Sequence, residues 1–334
     1  MRAGMRRYIL WRLVLIIPVL LGVTFISFLL ITLSPGDFLT TMSMNPTVSP
    51  QRIEKLRAEF GLDKPWYVQY GFWLYRLSPY EFPFGLKWPD FGYSFSNRMP
   101  VLTLMGQRFW NTLLLSFSSE VLVWIIGIPL AMFLVARRGT WVDSFSSSFL
   151  FLGISVPQIL LALFALVFAA RTAWFPIGGM HRFGAELEPF WYRLVDLLHH
   201  LILPAAVLAF AEIAVLVRYA RRSMLDILGS EYIRTARAKG LSEKGLLRKH
   251  AFRNSIHPLL TLLGLSFANL LSASFIVEII MGWPGLGRLA YDAMLSKDLY
   301  LLMASLTAGT ILLVLGNLLA DVMLALFDPR IRYE

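Results

Sequence analysis

Cysteine is absent from all 334 residues. Disulfides, thiolate metal sites and a Cys nucleophile are therefore excluded, and an oxidising exterior is permitted without being required. A phosphate-cradling loop is missing as well. The chain has no Gly-x-x-x-x-Gly-Lys-Ser/Thr pattern and no Gly-Lys dipeptide. If ATP is used, another subunit binds it, together with its Mg. The five histidines show no His-Glu-x-x-His spacing, and adjacent His199 and His200 project to different helix faces, which makes a poor metal pair. Ser146-Ser147-Ser148 reads as helix-packing polarity rather than as a nucleophile. No cofactor is expected in this chain. Neither a 20–50-residue repeat nor a low-complexity tract appears. Charge is scarce, at 16% of residues.

Apolar residues fill the space that charge leaves, at 57% with a mean hydropathy of +0.62. Such runs indicate a polytopic, all-α membrane protein. Six spans are expected, near 9–33, 110–136, 145–170, 199–220, 258–281 and 300–326. Each exceeds the ~20 residues that cross ~30 Å of hydrocarbon. The third has the cleanest boundaries, because Phe149–Ala170 carries no charge; the fourth holds Glu212 and Pro204. The N-terminal Met-Arg-Ala-Gly-Met-Arg-Arg resembles a signal n-region. The apolar stretch after it is too long for an h-region and no small-x-small site follows, so it reads as a retained first span.

The net charge of +10 is an orientation signal rather than a nucleic-acid signal. Arg2, Arg6, Arg7 and Arg12, Arg137 and Arg138, ten Lys and Arg from Arg218 to Arg253, and Arg330 and Arg332 fall on one side of a six-span chain. The positive-inside bias puts both termini and the 221–257 loop in the cytoplasm, and segments 34–106 and 171–198 outside. Residues 1–33 thus form the N-terminus and first span, 34–106 an external segment, 107–326 a five-span core and 327–334 a cytoplasmic tail. Within 34–106, Ser34-Pro35-Gly36-Asp37 ends the first span. Ser49-Pro50 starts a helix with Ile53, Leu56 and Phe60 on one face, and Gly61 stops it. Pro65 opens an aromatic helix (Trp66, Tyr67, Tyr70, Phe72, Trp73, Tyr75) expected to lie as a belt at the lipid interface.

The most informative stretch is the basic loop. Asp226–Lys239 reads as a helix broken by Gly240. Ser242 caps a second helix, with Glu243 at its positive end, that runs to about Asn254 before Pro258 starts the next span. Thr235, Ala236 and Ala238 are small, and Arg234, Arg237 and Lys239 radiate around them. Fixing topology needs fewer charges, so the pattern reads as a docking surface for a partner protein.

Several segments, in order along nearly the whole chain, resemble one family. They are Leu33-Ser-Pro-Gly-Asp37, Leu56-Arg-Ala-Glu-Phe-Gly-Leu-Asp63, Phe91-Gly-Tyr-Ser94, Pro100-Val101, Asn111-Thr112, Arg234-Thr-Ala-Arg-Ala-Lys-Gly-Leu-Ser242, His250-Ala-Phe-Arg-Asn254, Gly282-Trp-Pro-Gly-Leu-Gly-Arg288 and Asp328-Pro-Arg-Ile-Arg-Tyr333. Together they resemble the permease subunits of ABC importers of the dipeptide/oligopeptide and nickel family. The resemblance implies a type I importer permease with six transmembrane helices, in a bacterial or archaeal inner membrane. Its implied partners are a second homologous permease, one or two cytoplasmic ABC ATPases, an external solute-binding protein and the lipid bilayer. Nucleic acid is not among them. By position, Glu231, Arg234, Thr235, Ala236, Arg237, Ala238, Lys239, Gly240 and Leu241 correspond to the coupling helix, and His250, Arg253 and Asn254 brace its return. The broader importer motif has Glu-Ala-Ala where this chain has Arg234-Thr235-Ala236, and the family usually has Pro where Phe38 follows Asp37.

Two further sets complete the expectations. Trp283-Pro284-Gly285-Leu286-Gly287 reads equally as an external gate or as a plain turn, with Trp283 anchored at the interface. Charges inside spans are costly and point to function by default. Glu120, Glu212 and Glu278 read as buried charges; Glu278 is expected near an outer boundary and Asp321 near an inner end, where snorkelling is cheap, whereas Glu120 and Glu212 lie deeper, with pairing to another helix or to a sister subunit favoured over substrate contact for Glu212. Peptide import is the expected function, with nickel, an oligosaccharide or another small solute as alternatives on the same architecture. An ATPase-independent secondary transporter is the alternative from another class, and neither reading makes the chain an enzyme.

Overall fold

The computed structural model describes residues 2–33, 36, 38–43, 49–59, 61–78, 80–81, 85–86 and 89–327. The Ser34-Pro35 and Asp37 positions of the first turn, Phe60, and the Asp328–Tyr333 segment lie outside the described residues. The helices are α1 (Arg2–Leu33), α2 (Phe38–Ser43), α3 (Pro50–Glu59), α4 (Trp66–Leu77), α5 (Val101–Ala136), α6 (Trp141–Ser155), α7 (Gln158–Thr172), α8 (Phe190–Leu228), α9 (Glu231–Ala238), α10 (Glu243–Gly245), α11 (Arg253–Ile280), α12 (Leu286–Leu295) and α13 (Leu299–Phe327). A π-helical run, Leu246–Phe252, joins α10 to α11. Two short antiparallel hairpins complete the set. One pairs Tyr80–Glu81 with Gly85–Leu86; the other pairs Tyr93 with Pro100 and Ser94 with Met99.

Among the described residues, five helices are long and apolar enough to cross a membrane, and the bent pair α6–α7 makes a sixth span if counted as one. That bend corrects the sequence reading. The 145–170 segment, uncharged and by hydropathy the simplest span, is two helices meeting at 103°. Val156 is extended (φ −83°, ψ 123°) and Pro157 caps α7. A residue before proline is pushed out of the α region, so Val156-Pro157 breaks a run that hydropathy alone reads as continuous. The fourth span behaves in the opposite way. α8 is one helix of 39 residues through Pro204 and Glu212. At 1.5 Å per residue it is about 58 Å long, well beyond the hydrocarbon thickness.

The chain divides into two compact units. One comprises Met1–Trp11, Leu113–Trp283 and Leu313–Glu334; the other comprises Arg12–Thr112 and Pro284–Leu312. In the first unit, α5, α8 and the π-helical run bury one apolar cluster that includes Leu134, Val217, Met224, Ile233, Leu246 and Leu259. Small residues let the helices close up. A Cβ on Gly127 would sit 2.9 Å from Leu216, and one on Gly153 would sit 3.3 Å from Ala214. The closest approach joins α11 to α13, where a Cβ on Gly264 would fall on the Ala320 backbone and one on Gly316 would meet Ala268 and Leu271.

In the second unit, Phe28, Trp73 and Met303 form a buried cluster. The short helices of the 34–106 segment start and stop as expected: Ser49 Oγ accepts from Arg52 N (3.3 Å), Gly61 takes φ 65°, and Pro65 precedes α4. The aromatic belt is only half right. Trp66, Tyr67, Phe72 and Tyr75 are exposed, but Trp73 is buried and Tyr70 packs on Phe25 and Phe28 while its hydroxyl meets Thr24 (3.1 Å). α4 therefore turns one aromatic face to α1 and the other outward. Asp298 holds the 93–100 hairpin to the start of α13. Its carboxylate accepts from Ser94 Oγ (2.7 Å), Ser96 N (3.0 Å) and Ser96 Oγ (3.0 Å).

Candidate functional site: the basic loop between α8 and α11

The loop is built on one buried side chain. α8 runs to Leu228 and takes the first three residues of the helix that the sequence assigns to Asp226–Lys239. It ends where Gly229 N donates to Leu225 O (3.1 Å) and Ser230 N to Ile227 O (3.0 Å). Ser230 then takes an extended conformation (φ −74°, ψ 154°) and α9 starts at Glu231. The expected single helix is thus a long helix, a sharp step and a two-turn helix. Ser230 makes the step: its hydroxyl accepts nothing from α9 and instead donates back to Ile227 O (2.6 Å). On α9 only Ile233 is buried, at 0% exposure, inside the cluster with Met224, Leu228, Leu246 and Leu247.

α9 ends as its sequence predicts. Gly240 has φ 85°, Gly240 N donates to Arg237 O (3.0 Å) and Leu241 N to Ala236 O (3.3 Å). This pair of bonds is a Schellman termination, which needs a residue that tolerates the left-handed conformation. Ser242 then caps α10, accepting from Gly245 N (3.2 Å). Arg237 Nε and Nη2 reach back across the turn to Glu243 (2.6 and 3.3 Å). The hydrogen bond from Arg237 holds the Glu243 carboxyl below the usual carboxylate range, and Arg138 adds to it.

The return differs from the expected helix ending near Asn254. α10 is a single turn, the π-helical run follows, and α11 starts at Arg253 with Pro258 inside it. Pro258 cannot donate to the Asn254 carbonyl. The wider π turn directs Leu246, Leu247 and Ala251 into the core while Arg248 and Lys249 stay exposed. Of the three residues expected to brace the return, two meet Tyr232 of α9. Asn254 Nδ2 donates to Tyr232 Oη (2.8 Å) and His250 stacks obliquely near Tyr232, at 6.5 Å between rings. Arg253 is exposed.

The outward surface is Glu231, Arg234, Thr235, Arg237, Ala238, Lys239, Gly240 and Leu241, all exposed apart from the half-buried Ala236 beside them. Arg234 pairs along the helix with Glu231 (2.8 Å). A basic, small-residue face therefore stands on a rigid frame and stays open. One brace is missing from the sequence reading. Arg221 Nη2 bonds Asp143 Oδ2 (2.7 Å), and Asp143 also accepts from Gly139 N (3.1 Å), tying the 137–144 turn to α8 just before the loop. The signal for it is Thr140-x-x-Asp143, an N-cap spacing in which Thr140 caps α6.

Trp283-Pro284-Gly285-Leu286-Gly287 lies elsewhere, and its tryptophan corrects the sequence reading. Trp283 is fully buried in the first unit's second apolar cluster with Leu208, Leu270 and Val277, not set at the interface. Met281 O accepts from Gly179 N (3.1 Å), which folds the chain inward at this point. In the second unit, Pro284 O accepts from Asn111 Nδ2 (2.7 Å), Leu286 N donates to Thr112 Oγ1 (2.9 Å), and Gly287 is buried at the start of α12.

The intramembrane carboxylates divide. Glu278, near the C-terminal end of α11, is fully buried. Asp321 is half-buried near the C-terminal end of α13. Glu120 accepts from Trp124 Nε1 (2.8 Å) and Ser266 Oγ (2.8 Å). Glu212 is half-buried and lies beside Ser266 and Asn269 of α11.

Comparison with known proteins agrees with the architecture. The chain matches the family described as binding-protein-dependent transport system inner membrane component over residues 126–333, and that family's N-terminal region over residues 5–116. It is 39% identical to the oligopeptide transport system permease protein AppB of Bacillus subtilis (strain 168), covering 98% of this chain and 100% of that protein. It is 35% identical to the glutathione transport system permease protein GsiC of Escherichia coli (strain K12), covering 99% and 100%. Among solved structures it is similar to a chain of the inward-facing MetNI methionine ABC transporter, at TM-score 0.55 and 18% identity, covering 68% of this chain and 97% of that one.

Proposed function

This chain belongs to the family of binding-protein-dependent transport system inner membrane components, and from that premise we propose that it forms half of a peptide-conducting pore driven from the 221–257 loop. It is an ABC importer permease subunit, a membrane-spanning transport protein. The proposed solute is a dipeptide or oligopeptide, which the oligopeptide and glutathione systems among its relatives support. In this reading an external binding protein delivers the peptide, a second permease completes the pore, and one or two ATPases bind ATP and Mg on the cytoplasmic side, where both termini lie.

The observation that carries the coupling role is the exposed Arg234–Leu241 face fixed on buried Ile233. A lever has to transmit motion without bending. The Schellman end at Gly240, the Ser242 cap and the Tyr232–Asn254 bond supply that stiffness. An ATPase that favours one nucleotide state over another can shift pore conformation only through such a contact. Trp283–Gly287, on the far side of the membrane, is assigned the external gate.

The test is ATP-dependent uptake of tri-alanine by membranes containing the complete system. Arg237→Glu reverses charge on the open face, and Gly240→Pro removes the left-handed turn. Both should abolish uptake at normal expression, and Arg237→Glu should also release the ATPase on mild-detergent purification. Retained uptake in both variants would favour an ATP-independent carrier and leave the loop without a role.

A further inference from the structure

Two carboxylates sit in the middle of the first unit's spans, and every group that hydrogen-bonds them is neutral. Glu120 on α5 is 5% exposed and is held by Trp124 and Ser266. Glu212 on α8 is half-buried and meets the same Ser266, together with Asn269. The two glutamates are close enough to repel one another. Among the described residues, no Arg, Lys or His pairs with either. Charges in low dielectric persist when a counter-charge completes them, and two like charges in one site ask for one more strongly.

The way out of this cluster is polar too. On α11, Leu265, Asn269, Ser272 and Ile276 recur at helical spacing and are exposed. Ser272 returns its hydroxyl to the Ala268 carbonyl (3.2 Å), but the Asn269 amide in mid-span does not face hydrocarbon without a reason. Asn269 lies beside Glu212, and Ser266, one turn earlier on α11, donates to Glu120 (2.8 Å), so the stripe leads from the outer face of α11 to the two carboxylates. One turn before Glu120, on the same helix face, the Ser116 hydroxyl is fully buried with no hydrogen-bond partner. It is a polar group left unsatisfied beside the carboxylates.

We propose that the Asn269–Ser272 stripe of α11 is an aqueous wall of the solute path and that Glu212, backed by Glu120, binds the ammonium group of a passing solute. Under the peptide reading, on which the identity of the solute rests, that group is the α-amino end. A primary ammonium fits the donors and acceptors present. It has three N–H groups for two carboxylates and the Asn269 carbonyl oxygen, and it needs no metal-like geometry.

The absence of native cysteine makes the test direct. Ser272→Cys, with Asn269→Cys as a second reporter, places a single thiol on the stripe in the assembled complex. Its reaction with cationic 2-aminoethyl methanethiosulfonate and anionic 2-sulfonatoethyl methanethiosulfonate is followed as a mass shift on this chain. Rates are normalised to those with free 2-mercaptoethanol. A cation preference of at least about tenfold is expected, the lower end of electrostatic focusing in a charged cleft. Adding Glu212→Gln or Glu120→Gln should collapse that preference toward unity, with labelling by the neutral methyl reagent unchanged as the check on folding.

Absence of labelling by either charged reagent, with and without ATP, would overturn the aqueous wall. Equal rates for the two, or a preference that survives both Gln substitutions, would overturn the ammonium site and leave the carboxylates sharing a proton. Protection by tri-alanine is read separately. Cation-selective labelling without protection would keep the site and discard the peptide as its occupant.

Discussion

The loop from α8 to α11 and the seam between α11 and α13 are both rich in small residues, and they use them in opposite ways. In the loop, Thr235 and Ala238 face outward, and a Cβ added to Gly240 would meet nothing within 4 Å. There, glycine is needed for its backbone angle alone. In the seam, a Cβ on Gly264 would fall on the Ala320 backbone, where none fits, and one on Gly316 would press on the tip of Leu271 and touch Ala268. Glycine is needed there for its lack of volume. The loop therefore keeps surface chemistry separate from folding, while the seam allows no such separation.

Substitutions should sharpen the contrast, beginning with the seam. Gly264→Leu puts four carbons into space held by Ala320. Overpacking costs about 1–3 kcal/mol where neighbours can shift, and two helix backbones cannot. Loss of the monodisperse complex on size exclusion is expected; a variant that purifies and transports normally would mean α11 and α13 are not held this closely. In the loop, the corresponding large effect falls on the buried anchor. Ile233→Ala should destabilise by about 2–4 kcal/mol, the range for a filled core site. It should release the loop to proteolysis after Arg234 or Arg237 while the spans stay intact. Resistance equal to the parent would show that the loop stands without its anchor.

Gly240→Ala comes next. The added methyl meets nothing, so only the left-handed conformation is strained, at about 1 kcal/mol. Its loss in melting temperature should be well below that of Ile233→Ala. A larger loss would reveal a partner packed against this face.

The legible parts of the molecule are those set by neighbours along the chain. Gly61, Gly240, Ser242, Ser49-Pro50 and Pro65 start or stop helices through bonds spanning three to five residues, and each does so in the structure. What escapes depends on distant residues or on averaging. Hydropathy over twenty positions hides Val156-Pro157, so the cleanest apolar span conceals the bend. Pro204 and Glu212 argue against an unbroken α8 when read alone, yet membrane helices accommodate both when a neighbouring helix covers them. Ser94 meets Asp298 across more than two hundred positions, and nothing in either segment announces the other. Glu278 reads as a charge near the end of its span, and it is completely buried. Within the loop the exposed charges are readable, and the residue they stand on is not.

The smallest expected effect lies on the open face itself, in the Arg237–Glu243 pair. Glu243 has its carboxyl held below the ordinary range by the Arg237 hydrogen bond. A carboxyl depressed in the folded state contributes stability above its unfolded value and loses it as pH falls through the folded value. The pair should therefore be intact at neutral pH and lost only under clearly acidic conditions. Both side chains are largely in water, where such pairs add little and salt screens them. A double-mutant cycle of Arg237→Ala and Glu243→Ala on the melting temperature should give a coupling near the limit of detection at pH 7. Below the carboxylate range the coupling should vanish. A coupling of several degrees, or one that survives strong acid, would mean that the pair fixes the loop. The seam's division of labour would then extend to the loop, and Arg237→Glu would lose uptake by unfolding the lever rather than by blocking its dock.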